Sequence, residues 1–177
     1  MIEVEAKARI SNPAPWKKKI LKLGKYVGVE KKVDEYYTLE SPFHYPKKSL
    51  RIRTMKGKAI VNFKHLLSYH HKVFAKQEVE FDLHDVSGFL ALIHDFGYRL
   101  WLRKEKETWL YRITKNFHIE LNKVKGLGWF IEVEYLCTPE KINGARKEVI
   151  EVMKRLGIPE KDFVKEGYTK LLWDQKN

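Results

Sequence analysis

Read as a succession of apolar and polar positions, most of the chain has period two. Residues i and i+2 of a strand share a face. On this basis strands are predicted at about residues 1–10, 33–40, 48–56, 59–65, 73–83, 98–106, 108–114, 116–123 and 129–136. Elsewhere the period is helical. In the first such stretch Asn12 caps, Pro13 takes the first helical position, Trp16, Ile20 and Leu23 form the buried stripe, and Gly24 stops it. The second starts at Asp85, buries Val86, Phe89, Leu90 and Ile93, and ends at Gly97. Thr138-Pro139 opens the third, with Ile142, Val149, Val152 and Leu156 inside and Gly157 closing it; a short last helix falls near Tyr168–Trp173. Met55-Lys56-Gly57-Lys58 and Gly126-Leu127-Gly128 read as tight turns, and Leu66 to Lys72, with His70-His71, as a loop. Strands outnumber helices and short turns join most neighbours. The expected fold class is therefore α+β, a closed or nearly closed eight-stranded antiparallel β-barrel with helices packed outside.

The two faces of these strands differ in kind. One reads Glu3/Glu5/Lys7/Arg9, Arg51/Arg53, Asn62/Lys64, Lys76/Glu78/Glu80, Lys104/Lys106, Glu120/Asn122 and Glu132/Glu134. The other reads Val4/Ala6/Ala8, Leu50/Ile52, Val61/Phe63, Val79/Phe81, Ile119/Leu121 and Ile131/Val133. An ordinary half-buried sheet with its polar side in water gives the same alternation. The mixture of signs suits a cation–anion site better than a solvated coat. If the sheet closes with its apolar side outward under the helices, every charged face points into one lumen. There, clustered carboxylates repel unless a metal neutralises them, and clustered Arg and Lys repel unless an anion does.

A triphosphate with a divalent ion meets both demands. Guanidinium forks pair with phosphate oxygens and Lys adds point charge, while Mg²⁺ and Mn²⁺ prefer carboxylate oxygen and water. On this reading Glu3 and Glu5, with Glu132 or Glu134, hold the metal, and Arg51, Arg53, Lys64, Lys104 and Lys106 hold phosphate. Lys7 contacts the terminal phosphate or places the attacking water, with Glu78 and Glu80 in support.

Composition narrows the choice. The 35 Lys and Arg against 23 Asp and Glu leave a net charge of +12 over 177 residues, which favours polyanionic partners. A lone Cys137 excludes a disulfide framework and a Cys-rich zinc site, and the His residues show no zinc spacing. The N-terminus Met-Ile-Glu-Val-Glu carries acids where a signal peptide needs bases, and no apolar run approaches a membrane span; a cytoplasmic protein without membrane contact is expected. No linker divides the chain, so one domain spanning 1–177 is expected. Gly126-Leu127-Gly128 lacks the βαβ context of a nucleotide fingerprint.

At these residues the sequence resembles the CYTH family, also called triphosphate tunnel metalloenzymes. The N-terminal Glu-x-Glu-x-Lys signature is matched by Glu3-Val4-Glu5-Ala6-Lys7, and Asp34-Glu35-Tyr36-Tyr37 matches the family's Asp followed closely by Tyr. Leu50-Arg51-Ile52-Arg53, then Lys64, then Lys76-Gln77-Glu78-Val79-Glu80 follow in order. Lys104 and Lys106, the Gly126 to Glu134 segment and a terminal Tyr-x-x-Leu-Leu at Tyr168 to Leu172 complete the set. The resemblance implies a tunnel of about eight strands in which acids bind Mg²⁺ or Mn²⁺ and bases hold a triphosphate. It implies either triphosphate hydrolysis or class IV adenylyl cyclase-type conversion of ATP to cyclic AMP and pyrophosphate. The partner is then a small-molecule triphosphate, with an RNA 5′-triphosphate as a lesser candidate. Asn122 departs from the pattern, standing where relatives carry Asp; Glu120 on the same face is a candidate substitute ligand. A non-catalytic polyphosphate- or RNA-binding barrel is the alternative from another class.

Overall fold

In the computed structural model, which describes residues 1–41 and 43–176, eight strands close into one barrel. They are β1 (Ile2–Ile10), β2 (Lys25–Thr38), β3 (Leu50–Met55), β4 (Lys58–His70), β5 (Val73–Leu83), β6 (Arg99–Thr114), β7 (Phe117–Val124) and β8 (Gly128–Cys137). The helices are α1 (Ala14–Leu21), α2 (Val86–Asp95), α3 (Ile142–Leu156) and α4 (Tyr168–Asp174). Around the barrel the order is β1-β5-β4-β3-β2-β6-β7-β8, and each neighbouring pair is antiparallel. Hairpins link β2 through β5 and β6 through β8, while α1 and α2 carry the chain between strands that do not touch. β1 completes the closure: Val4 lies opposite Ala75 of β5 on one side and Tyr135 of β8 on the other.

Four expectations need correction, and irregular backbone explains two of them. The segments 98–106 and 108–114 are one strand, because Glu107 stays in the ladder opposite Lys31 and Lys123. β2 begins at Lys25, well before 33, and β4 continues to His70, so the loop expected from Leu66 shrinks to a turn at His71 and Lys72. Register shifts at Tyr26/Gly28 and at Leu66/Ser68 break the apolar–polar alternation there. A β-bulge moves later side chains to the other face, so a strict period-two reading stops at it. The fourth correction is at α1. Pro13, not Asn12, is the residue flanking the helix, although the Asn12 Oδ1 still accepts the Ala14 N–H at 2.9 Å.

The outer face of the barrel packs on helices where they reach. Val4, Ala6, Val73, Ala75, Ile119, Leu121, Ile131 and Val133 share one core with Val149, Val152, Met153 and Leu156 of α3. Burying each large aliphatic side chain of α3 contributes about 1.5–3 kcal/mol. Gly157 ends this helix in the left-handed region at φ 87°, a conformation glycine adopts without a Cβ clash, and the Ile158 N–H then bonds back to the Met153 carbonyl. α2 covers Tyr37 and Ile52 through Ile93. Between these helices Phe63, Val79 and Phe81 remain 46%, 38% and 52% exposed, so the apolar exterior is not wholly under helices as expected. β1 is buried on both faces, its even-numbered residues by α3 and its Glu3, Glu5 and Lys7 by the lumen.

Candidate active site

An eight-stranded barrel is just wide enough for side chains to fill it. Here the fill is ionic. Strand alternation brings Glu3, Glu5, Lys7, Arg51, Lys104, Lys106, Glu120, Asn122 and Glu132 into buried positions, with Arg53, Glu78 and Glu134 half-buried and Lys64 more open to solvent. Glu80, at the far end of β5, is exposed.

On one side the bases gather around a single acid. Asp34 receives two bonds from the Arg53 guanidinium, at 2.6 and 2.9 Å, lies 2.8 Å from Lys104 Nζ, and has Arg51 at 3.8 Å. Burial opposes its ionisation, yet Lys104, Arg53 and Arg51 outweigh that and hold the carboxyl far below its usual value. Lys104 also donates to the Tyr36 hydroxyl at 3.0 Å, and Arg51 reaches Glu78 at 3.2 Å. Asn62 donates to both Glu78 and Glu80, the latter at 3.3 Å, tying the two acids of β5 to β4.

Across the lumen, Asn122 is the hub. Its amide nitrogen donates to Glu120 at 3.1 Å and to Glu132 at 2.7 Å, while its oxygen accepts from Thr108 at 2.7 Å. Lys106 lies 2.9 Å from Glu120 and 3.5 Å from Glu132, and Lys32 adds 3.5 Å to Glu120. Burial disfavours the charged ammonium of Lys106, but Glu120 and Glu132 reverse that and raise its affinity for the proton. Glu132 also faces Lys7 at 3.8 Å, so this acid is committed to two ammonium groups and an amide.

The third cluster differs. One carboxylate oxygen from each of Glu3, Glu5 and Glu134 can be chosen so that all three lie within 4.8 Å of one another. Lys64 donates to Glu3 at 2.6 Å; Glu5 meets Lys7 at 3.4 Å and also pairs with Lys76. Glu134 has no ammonium or guanidinium within 4.0 Å among the described residues. Burial, then the nearby Glu120, Glu5 and Glu132, push its carboxyl up to about 7 despite Lys64. Burial works against ionisation at Glu5 as well, but Lys76 and Lys7 overcome it and hold that carboxyl well below its usual range. Three hard oxygen donors converging with incomplete counter-charge fit a divalent cation such as Mg²⁺ or Mn²⁺. Of the two alternatives read from the sequence for the third acid, Glu134 sits in this group and Glu132 outside it.

Several interior residues have no role in the sequence reading. Asp34 and Tyr36 carry part of the resemblance there but no function, and Lys32 lies on the same face by the i, i+2 rule. Thr108 sits beyond the point where β6 was expected to break. Tyr168 comes from a helix, outside any strand pattern; its ring packs edge-on to Phe130 at 4.9 Å between centroids. It shares an apolar cluster with Tyr36, Leu102, Val124, Leu127 and Leu172, so α4 closes one end of the lumen. No described helix is long and apolar enough to cross a membrane.

This architecture has close counterparts. The PH1012 protein of Pyrococcus horikoshii superposes with a TM-score of 0.81 at 30% identity, covering 96% of this chain and 98% of that one. A conserved hypothetical protein of Pyrococcus furiosus superposes at 0.79 with 25% identity, covering 96% of this chain and 99% of its own. A Hippeastrum protein with a dominant triphosphatase activity shares the fold at a TM-score of 0.62 and 16% identity, with 98% and 95% covered. No curated protein matches the chain. With the ordered motifs lining one closed barrel, and with the CYTH domain profile matching residues 1–168, the chain belongs to the CYTH domain family.

Proposed function

We propose that the protein is a divalent-metal-dependent enzyme acting on a triphosphate held inside the barrel, with hydrolysis the reaction its geometry supports best. The observation that carries this is the segregation of the interior. Glu3, Glu5 and Glu134 form an acid cluster with one member unpaired, while Lys7, Arg51, Arg53, Lys64, Lys104 and Lys106 line the rest. Most of the interior contacts pair opposite charges, which is the recognition a phosphate chain needs, and hydrolysis calls on no group beyond these.

Bound at the three acids, Mg²⁺ or Mn²⁺ supplies charge neutralisation at phosphorus and a lowered water pKa. The chain's own groups do the rest. Arg51 and Arg53 present guanidinium forks to non-bridging phosphate oxygens, and Lys104 and Lys106 add charge deeper in the barrel. In the substrate-free protein Asp34, Glu78, Glu120 and Glu132 occupy these bases, so the cationic wall is held in place before the polyanion arrives. Lys7 lies between Glu5 of the acid cluster and Glu132 of the basic wall, 3.4 and 3.8 Å away, and there contacts the terminal phosphoryl group as its charge develops.

Incubation with Mg²⁺ or Mn²⁺ and, separately, tripolyphosphate, ATP and thiamine triphosphate tests the reading, with products identified by phosphorus NMR. Orthophosphate is expected, and its release should stop with a chelator or with Glu134→Gln. Cyclic AMP and pyrophosphate from ATP would assign cyclisation instead. Binding that gives no product with either metal would support the polyphosphate- or RNA-binding alternative.

A further inference from the structure

The Tyr-x-x-Leu-Leu segment at the C-terminus places one unusual group in the barrel. Tyr168 is 7% exposed, and its hydroxyl has no hydrogen-bond partner among the described residues. The same ring has three ammonium groups over it: Lys7 and Lys104 at 5.6 Å from the centroid and Lys106 at 5.9 Å. Lys7 and Lys106 share Glu132, and Lys104 is neutralised by Asp34. The Asn122 side chain lies close enough to act on the phenol, but its amide hydrogens are committed to Glu120 and Glu132, its oxygen accepts from Thr108, and it makes no hydrogen bond of good geometry with the Tyr168 hydroxyl.

The backbone around Tyr168 is fixed, so the lone hydroxyl is not a matter of a loose terminus. Val164 N–H bonds to the Lys7 carbonyl at 2.8 Å, Phe163 bridges Ala8, and the Tyr45 hydroxyl meets the Thr169 hydroxyl at 2.8 Å. A phenylalanine would fill the same apolar space against Phe130 and Leu172 without burying an unused polar group. An unsatisfied buried hydroxyl is costly to the folded state, and in native proteins such a group calls for a reason, a catalytic or ion-binding role among them.

We propose that Tyr168 is a substrate-binding residue whose hydroxyl donates a hydrogen bond to the end of the phosphate chain lodged among Lys7, Lys104 and Lys106 at the α4-closed end of the barrel. This rests on the triphosphate reading above. Three cations around one ring make the space beside the hydroxyl favourable for an anionic oxygen, and the aromatic face tolerates the ammonium groups until it arrives. Burial, with Glu132 and Glu120 nearby, pushes the phenol well above its ordinary value, so the group keeps its proton and acts as a donor. The apolar cluster behind it, Phe130, Leu102 and Val124, keeps water from competing for that donor.

Tyr168→Phe separates this role from a packing role. Inorganic tripolyphosphate is titrated calorimetrically into wild type and variant with a chelator present, and the thermal midpoint of each free protein is measured. Deleting only the hydroxyl should raise the dissociation constant about tenfold, the effect of one hydrogen bond. It should also raise the midpoint of the ligand-free protein by about 2–4 °C, because an unpaired polar group has been removed from the interior. A ring that merely packs α4 would leave the dissociation constant unchanged, and that result overturns the inference. Wild type that takes up no tripolyphosphate either in chelator or with Mg²⁺ in its place overturns the triphosphate reading itself, and this assignment with it.

Discussion

Asp34 lies beneath Arg53, Lys104 and Arg51 with no exposed surface, so its charge is the counterweight on which three cations depend. Asp34→Asn keeps the shape and removes the charge. The expected cost is about 3–5 kcal/mol in urea unfolding, the range for breaking a buried pair, and added tripolyphosphate should recover part of it by supplying the missing anion. Glu134 behaves in the opposite sense. Its folded-state carboxyl is raised from 4.5 to about 7, so between those values the folded protein keeps a proton that the unfolded chain releases. Stability in chelator should therefore fall as pH rises through that window. Glu134→Gln should flatten the fall in thermal midpoint; a variant that declines as steeply as wild type would place the proton elsewhere. Added Mg²⁺ or Mn²⁺ should offset the fall above neutral pH, where the three acids bind best as carboxylates.

At the scale of elements, stability follows what the helices cover. Met153 of α3 is wholly buried against the outer face of the barrel. Met153→Ala should cost about 2–5 kcal/mol in chemical denaturation. Phe81→Lys on β5, at a position 52% exposed, should change stability by no more than about 0.5 kcal/mol. The contrast also marks what was legible in the chain. Wherever a strand alternates without interruption, as in β1, β7 and β8, period two gives both faces and so gives Glu3, Glu5, Lys7, Glu120, Asn122, Glu132 and Glu134 as lumen residues. Reading fails at the bulges of β2 and β4, whose extra residues erase the period. It also fails to choose between Glu132 and Glu134 as third acid, because both share a face. Their separation depends on Lys7, Lys106 and Asn122, which reach Glu132 from three different strands. Tyr168 escapes for another reason: a helix places it in the lumen, and no local pattern reports which barrel end a helix will close.

Across the whole molecule the charge is unevenly spent. Interior acids and bases pair closely, so the surplus of +12 lies largely outside, for instance in exposed Lys18, Lys19 and Lys22 around α1. Closing the sheet thus divides the electrostatics into two parts. The outer field acts at long range and is screened over about 8 Å at physiological ionic strength, whereas the interior contacts lie in low dielectric and are screened far less. A polyanion approaching the protein feels the first; once seated among Arg51, Arg53, Lys104 and Lys106 it is held by the second. Raising salt from about 0.02 M to about 0.2 M should therefore slow association of tripolyphosphate by about tenfold or more while leaving dissociation nearly constant. Stopped-flow tryptophan fluorescence in chelator separates the two rates. If the salt dependence fell on dissociation instead, the bound phosphates would be lying at a solvated rim. The substrate would then be read by the exterior of the barrel, as a longer nucleic-acid chain would be, and its paired interior would serve the fold alone.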